Sequence, residues 1–244
     1  MSMGTGTGRA ARTSRRGPLV LAAVVAAAVV VGVLVALSAS GGDGDGGASG
    51  GTATIVGVEE VRAELAGVPV SGMRLGRADA PVRIEEYADL QCPFCAQAAA
   101  VLVPEIVERY VRPGTASMTF RPLDFIGEDS RRGALAAYAA GYQNRSWQLV
   151  EVLFRNQGKE NAGWLSDETI LAAADAVGID RERLNADRAS DRAEQALAAD
   201  AAAARKDGVE STPTFVVSGP GGTRVIAGAQ DIRQLAAAVE EVRG

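Results

Sequence analysis

Cys92 and Cys95 are the only cysteines in the 244-residue chain, and they sit two residues apart as Cys92-Pro93-Phe94-Cys95. Two sulfurs at this spacing can open and close a disulfide between them. The chain has no histidine, which excludes His-ligated metals, Ser-His-Asp and Cys-His nucleophile pairs, and an imidazole acid or base. Two cysteines are too few, within one chain, for a four-cysteine zinc site or an iron–sulfur cluster. Haem attachment would need histidine after Cys95, where Ala96 stands. A structural bridge across two residues closes too small a loop to stabilise much. A redox pair is the reading left, and no metal or bound cofactor is expected.

That chemistry needs a helix N-terminus. Val82–Ala88 (VRIEEYA) has strand character, and the residues from Cys95 to Val111 have helical composition, with Pro104 marking a kink or break. Unpaired N–H groups and the positive dipole end at the start of such a helix favour a thiolate, the reactive species in exchange. Cys92, at the exposed end, is then the attacking sulfur. Cys95, one turn on, resolves the mixed disulfide, and Pro93 falls in the first turn, where its missing N–H costs least.

Further elements follow from the pattern. A short helix is predicted over Val58–Ala66, turns over Arg74–Pro81 and a strand over Ala116–Leu123. A helical tract runs over Asp129–Gln157, and a helix over Glu168–Val177 is capped by Ser166 or Asp167 and ended by Gly178. One or two helices cover Arg181–Lys206. Thr214–Val217, a Ser218–Gly222 turn and Thr223–Ala227 form a hairpin, and Gln230–Val242 closes the chain as an amphipathic helix. With the helical block removed, a βαβ–ββα core remains. The fold class is α/β with a helical insertion. Trp147 and Trp164 read as packing residues.

The N-terminus is organised differently. Arg9, Arg12, Arg15 and Arg16 are the only charges in the first 40 residues, and Leu19–Leu37 is an unbroken run of Leu, Val, Ala and one Gly. About 20 such residues cross a bilayer as a helix, and the preceding arginines place the tail in the cytoplasm and the rest outside. An uncleaved signal anchor fits the length of the span; a cleaved signal peptide is the alternative, with Ala36-Leu37-Ser38 as its site. A buried soluble helix would need polar punctuation that is missing. The expected organisation is a basic tail (1–17), a transmembrane signal anchor (18–38), a Gly-rich linker (39–52), an N-terminal extension (53–81), and a catalytic domain (82–244) with its helical insertion at about 127–208. Either leading reading exports that domain to a compartment where disulfides form. Beyond residue 40 there are 21 basic and 30 acidic residues, so no basic stripe marks a nucleic-acid partner.

Thr212-Pro213 precedes the apolar strand at Thr214 and reads either as a strand-initiating proline or as a cis-proline turn facing the cysteines. In the second case the missing N–H leaves neighbouring backbone free to pair with an incoming peptide. Ala80-Pro81-Val82 through Asp89-Leu90-Gln91-Cys92-Pro93-Phe94-Cys95 is similar to the active-site region of DsbA-like thiol–disulfide oxidoreductases of the thioredoxin superfamily, in their membrane-anchored or secreted bacterial branch. Ser146-Trp147, Leu153-Phe154-Arg155-Asn156-Gln157, Thr212-Pro213-Thr214-Phe215 and Gly228-Ala229-Gln230 resemble other parts of that branch. The likeness runs over roughly 75–242. It implies a thioredoxin-like fold, with Cys92 as nucleophile, Cys95 as resolving cysteine, Pro213 as cis-proline and Thr212 contacting the substrate or the cysteine pair. It also matches Glu86 to a buried acid that exchanges a proton with the second cysteine. Strand alternation puts Glu86 beside Ile84 on one face; the alternative leaves Glu86 in solvent with Glu85.

Many strongly oxidising members carry His where this chain has Phe94, which offers neither charge nor hydrogen-bond donor. A less extreme oxidant is therefore expected, with Phe94 adding apolar surface for unfolded substrates. The expected function is introduction of disulfides into exported proteins with free thiols, by a monomer tethered to the membrane and reoxidised by a quinone-linked membrane oxidase of DsbB or VKOR type. A reductase or isomerase on the same fold, and a non-catalytic chaperone-like module, are the alternatives.

Overall fold

The computed structural model describes residues 54–228 and 231–244. The expected basic tail, membrane span and linker lie outside the described residues, as do Ala229 and Gln230. Among the described residues no helix is long and apolar enough to cross a membrane.

In chain order the helices are α1 (Val58–Glu64), α2 (Pro93–Ile106), α3 (Glu128–Gly141), α4 (Ser146–Arg155), α5 (Asp167–Ala176), α6 (Arg181–Arg188), α7 (Asp191–Lys206) and α8 (Ile232–Arg243). The strands are β1 (Val70–Ser71), β2 (Arg74–Leu75), β3 (Val82–Ala88), β4 (Ala116–Pro122), β5 (Thr214–Gly219) and β6 (Gly222–Ala227). They form one sheet in the order β1-β2-β4-β3-β5-β6. β3 runs parallel to β4, with Ile84 opposite Met118, and antiparallel to β5, with Ile84 opposite Val217. Neighbours on both edges and cover on both faces leave β3 largely buried although it carries Arg83, Glu85 and Glu86.

The turns expected over Arg74–Pro81 are in part strand. Val70 pairs with Leu75 in a hairpin, and Arg74 pairs with Thr119 of β4. Gly72 makes the reversal with φ 61°, a left-handed conformation that favours glycine. Two-residue strands leave no readable alternation, which is why the pattern gives only turns.

The tract expected over Asp129–Gln157 is two helices. Asn144 adopts φ 57° between α3 and α4, and Arg145 N–H closes back on Ala140 O at 2.9 Å. Asn144 Oδ1 also accepts from Gly72 N–H at 3.0 Å, Ser146 Oγ donates to Gly72 O at 2.6 Å, and Trp147 Nε1 donates to Met73 O at 2.9 Å. The helix break is thus stitched to the β1–β2 turn. Pro104 does not break α2; the exposed Ala100 carbonyl it leaves without an N–H partner can meet solvent. The helix instead widens after Ile106 into a π-helical turn, Val107–Val111, with Arg112 N–H on Val107 O at 2.8 Å.

Ser166, Asp180 and Ser190 cap α5, α6 and α7, each accepting a backbone N–H three residues on. On one sheet face Ile84, Ala88, Met118 and Phe120 share a core with α2, α4 and α8. On the other, Tyr87 and Val216 pack with Leu123, Ala204 and Val209. Arg121 bridges Glu85 on β3 and Asp200 on α7, and Tyr138 donates to the same Asp200, so α7 is pinned to the sheet by buried charge as well as by packing.

Phe120 is fully buried and meets Trp147 and Phe154 of α4 edge-on, each at 6.2 Å between ring centroids. Phe120→Ala removes the aromatic joint between sheet and insertion. A destabilisation of about 3–5 kcal/mol is expected, read as a lower urea midpoint of the full chain.

Candidate active site

Strand β3 ends at Ala88, and four residues later helix α2 begins. Cys92 is its N-cap (φ −73°, ψ 120°) and Pro93 is its first residue. The carbonyl of Cys92 accepts from Cys95 N–H at 3.0 Å and Ala96 N–H at 3.1 Å, closing the first turn. Both cysteines are thiols in this structure. Cys92 is 6% exposed and Cys95 is fully buried. Cys92 is the more accessible sulfur, as expected, but far more covered than a helix end alone would leave it. The cover includes Thr212, whose carbonyl accepts from Cys92 Sγ at 3.4 Å. The Thr212–Pro213 peptide is cis. The chain therefore brings Thr212 and Pro213 to the cysteines across 120 residues of sequence.

The two thiols are driven apart electrically. Cys92 is pulled down to about 6, chiefly by a hydrogen bond with the Cys95 thiol. Burial opposes that shift, and the Thr212 side chain and the backbone N–H groups of Cys95 and Phe94 add to it. Cys95 is pushed upward by burial first, then by its hydrogen bond to Cys92 and by the Cys92 charge. One sulfur is thus held ready as a thiolate at neutral pH while the other keeps its proton.

Glu86 lies on the buried face of β3 between Ile84 and Ala88, as alternation predicts. It is 1% exposed, its Oε1 has no hydrogen-bond partner, and burial raises it to about 8. Ile84 and Ala88 share one core with Cys92 and Cys95, so the Glu86 carboxyl sits on the sheet face that α2 covers. Glu85, on the opposite face, pairs with Arg121.

Phe94 is 57% exposed beside Cys92. Phe125, in the loop after β4, is 53% exposed. That loop is tied to the active-site turn by Ile126 N–H on Asp89 Oδ2 at 3.0 Å, so a second exposed apolar side chain stands on a loop bonded to that turn. Nothing in the sequence singles out Phe125, because its placement depends on the tertiary path of the loop.

A buried polar network also lies beyond sequence reasoning. Asp89 accepts from Gln91 N–H at 2.8 Å and Ser130 Oγ at 2.7 Å. The Gln91 amide donates to Ser130 Oγ at 3.0 Å and accepts from Asn161 N–H at 2.7 Å. Gln157 Nε2 donates to Leu90 O at 2.8 Å and Cys92 O at 3.1 Å. The helical insertion thereby grips the side chains of Asp89 and Gln91 and the carbonyls of Leu90 and Cys92, fixing where the N-cap points. The sequence marks Gln157 only as part of a stretch similar to a family, with no task. Among the described residues no group of three or more acidic or cysteine side chains is arranged to hold a metal ion.

A parallel β3–β4 pair linked through α2, a β5–β6 hairpin, and a cysteine pair opposite a cis-proline define a thioredoxin-fold thiol–disulfide oxidoreductase. The thioredoxin family (Thioredoxin_4) matches residues 69–241. A probable disulfide bond formation protein D of Bacillus anthracis is 30% identical over 149 residues, covering 59% of this chain and 69% of that protein. Its counterpart in Bacillus cereus is 29% identical with the same coverage. The crystal structure of oxidised BdbD from Bacillus subtilis superposes with a TM-score of 0.64 at 25% identity, over 72% of this chain and 99% of that one. The chain belongs to the thioredoxin family and is a DsbA-like thiol–disulfide oxidoreductase.

The thiol asymmetry has a direct readout. Alkylation of the reduced full chain by iodoacetamide should rise with pH and reach half its plateau near pH 6 through Cys92. Thr212→Val, which keeps the carbonyl but removes the hydroxyl that helps lower Cys92, should move that midpoint upward. A midpoint near the ordinary thiol value in the unsubstituted chain would contradict the described geometry.

Proposed function

We propose that this protein is an extracytoplasmic disulfide oxidase that introduces disulfides into exported proteins through Cys92-Pro93-Phe94-Cys95. The observation that carries the reading is the depressed Cys92 thiol. Its sign supports that direction. A thiol whose value falls on folding stabilises the folded, reduced form above about pH 6, with the full effect above the ordinary thiol range, and loses it as pH falls through 6. Stabilising the reduced form makes the disulfide form a better oxidant.

The reaction begins when a substrate thiolate attacks Cys92 Sγ of the oxidised pair. The Cys92–Cys95 bond breaks, and Cys95 leaves with the electron pair and takes a proton, Glu86 being the donor. A second substrate thiolate then attacks the substrate sulfur of the mixed disulfide. The substrate leaves oxidised, Cys92 leaves as the stabilised thiolate, and the protein is left as the dithiol. Phe94 and Phe125 present apolar surface to unfolded clients, and backbone beside Pro213 receives the substrate chain. The 18–38 span anchors the domain outside the membrane, within reach of a quinone-linked oxidase of DsbB or VKOR type that restores the disulfide.

The Phe94 side chain contributes no charge or donor to the thiolate, so the potential should be moderate for an oxidant. In glutathione buffers the full chain should equilibrate between about −120 and −180 mV. A value near about −250 mV or lower, towards thioredoxin, would overturn the oxidase reading in favour of a reductase supplied with electrons across the membrane.

A further inference from the structure

The connection between α4 and α5, residues 156–166, is held against the active-site turn at two points. Gln157 holds the carbonyls of Leu90 and Cys92. Asn161 joins two other segments. It sits in the left-handed region at φ 51°, where few residues besides glycine and asparagine rest at low cost. Its backbone N–H donates to Gln91 Oε1 at 2.7 Å, and its Oδ1 accepts from Gln91 Nε2 at 3.3 Å. Its Nδ2 donates to Ile126 O at 3.1 Å, on the loop after β4. Gly127 lets the two segments meet, because a Cβ there would stand 2.9 Å from Asn161 Oδ1.

Ile126 is thereby fixed from every side. Asp89 Oδ2 accepts its N–H at 3.0 Å, Asn161 donates to its carbonyl, and its side chain packs against the main core. Phe125 is the residue before it. The Phe125 ring is 53% exposed and joins none of the apolar clusters among the described residues. A large apolar ring left in water adds nothing to the core. A loop that only connected β4 to α3 would not need both backbone groups of one residue bonded by side chains 35 and 37 residues away. Holding the backbone beneath an exposed ring removes conformational freedom before any contact is made, which is how a binding surface gains affinity.

We propose that Asn161 is a positioning residue for client specificity: it fastens the loop of Phe125 to the active-site turn, so that the ring is held ready for apolar residues beside the client cysteine. This role rests on the reading that Phe125 meets client chains. Asn161 touches no client and acts through Ile126. The bond that carries the role is Nδ2 to the Ile126 carbonyl. Its bonds to Gln91 are backed by others, since Gln91 Nε2 also donates to Ser130 Oγ at 3.0 Å and Gln91 N–H to Asp89 Oδ1 at 2.8 Å. Losing the Asn161 side chain therefore frees the loop and leaves the turn, with Cys92 at its end, in place. A glycine at 161 keeps the left-handed backbone and its N–H bond to Gln91, and removes only the side chain.

The test is single-turnover reaction of the oxidised full chain with two reduced peptides, one with phenylalanine and leucine flanking its cysteine, the other with serines in their place. Rates against peptide concentration give a half-saturating concentration and a maximal rate for each. Asn161→Gly should raise the half-saturating concentration about tenfold for the apolar peptide, the scale of losing one held aromatic contact, and less than about twofold for the serine peptide. The maximal rates and the alkylation midpoint of Cys92 should not move. Asn161→Asp keeps an acceptor for Gln91 but has no donor for Ile126 O, and should match Asn161→Gly. Phe125→Ala should show the same selective loss, and adding Asn161→Gly to it should weaken binding no further. Wild-type behaviour of Asn161→Asp beside a defective Asn161→Gly would leave only the Gln91 bond in use and overturn the proposal. Equal losses for the two peptides, or a shifted alkylation midpoint, would make Asn161 a support of the redox turn and also overturn it. A selective loss in Phe125→Ala beside normal Asn161 variants would overturn the role of Asn161 and keep Phe125 as a client contact. Wild-type behaviour of Phe125→Ala would overturn the Phe125 reading itself, and the role of Asn161 with it.

Discussion

The position of Cys92 at the start of α2 depends on where β3 stops. A strand that ran on would carry the cysteines past the sheet edge, and a helix that began earlier would bury both sulfurs. The end of β3 is enforced from outside the strand. Asp89 turns the backbone and accepts the Gln91 N–H, while Gln157 holds the carbonyls of Leu90 and Cys92. With those carbonyls fixed, the first turn of α2 closes on the Cys92 carbonyl, and the N–H groups of Phe94 and Cys95 help lower the Cys92 thiol. The Cys95 thiol is the chief support of the thiolate and backbone N–H groups add to it, while the helical insertion supplies the clamps that keep that geometry.

This gives the insertion a chemical purpose beyond adding core. Its α4 helix lays Trp147 and Phe154 against Phe120, and its stitching to the β1–β2 turn fixes its height on the sheet. The same helix carries Gln157 just beyond its C-terminus and Glu151 within it. One packed joint thus sets the reactive sulfur's backbone. Opposite the cysteines, β5 presents Thr212 and Pro213 because Thr214 is held in register with Tyr87. The cleft is assembled from three distant parts of the chain around one short strand.

The sequence by itself determined the redox chemistry, because two cysteines and no histidines leave few other reactions. It determined the order of strands and helices, since alternation and capping residues such as Ser166 and Ser190 act over a few positions. It also determined the burial of Glu86, because a period of two places that residue beside Ile84 whatever the partners are. Only the tertiary structure decided what depends on residues far apart. Gln157 and Asn161 are ordinary amides until the fold sets them 65 to 70 residues back against the active-site turn. The loop that carries Phe125 meets the active-site turn only because it is bonded to Asp89. Glu151 has the helical spacing of a core position, and only the fold shows that this acid is buried there. β1 and β2 are too short to carry a period and become strands through hydrogen bonds to each other and to β4. Local pattern carries information over one or two turns, whereas the electrostatics of this site are set by contacts made across the whole domain.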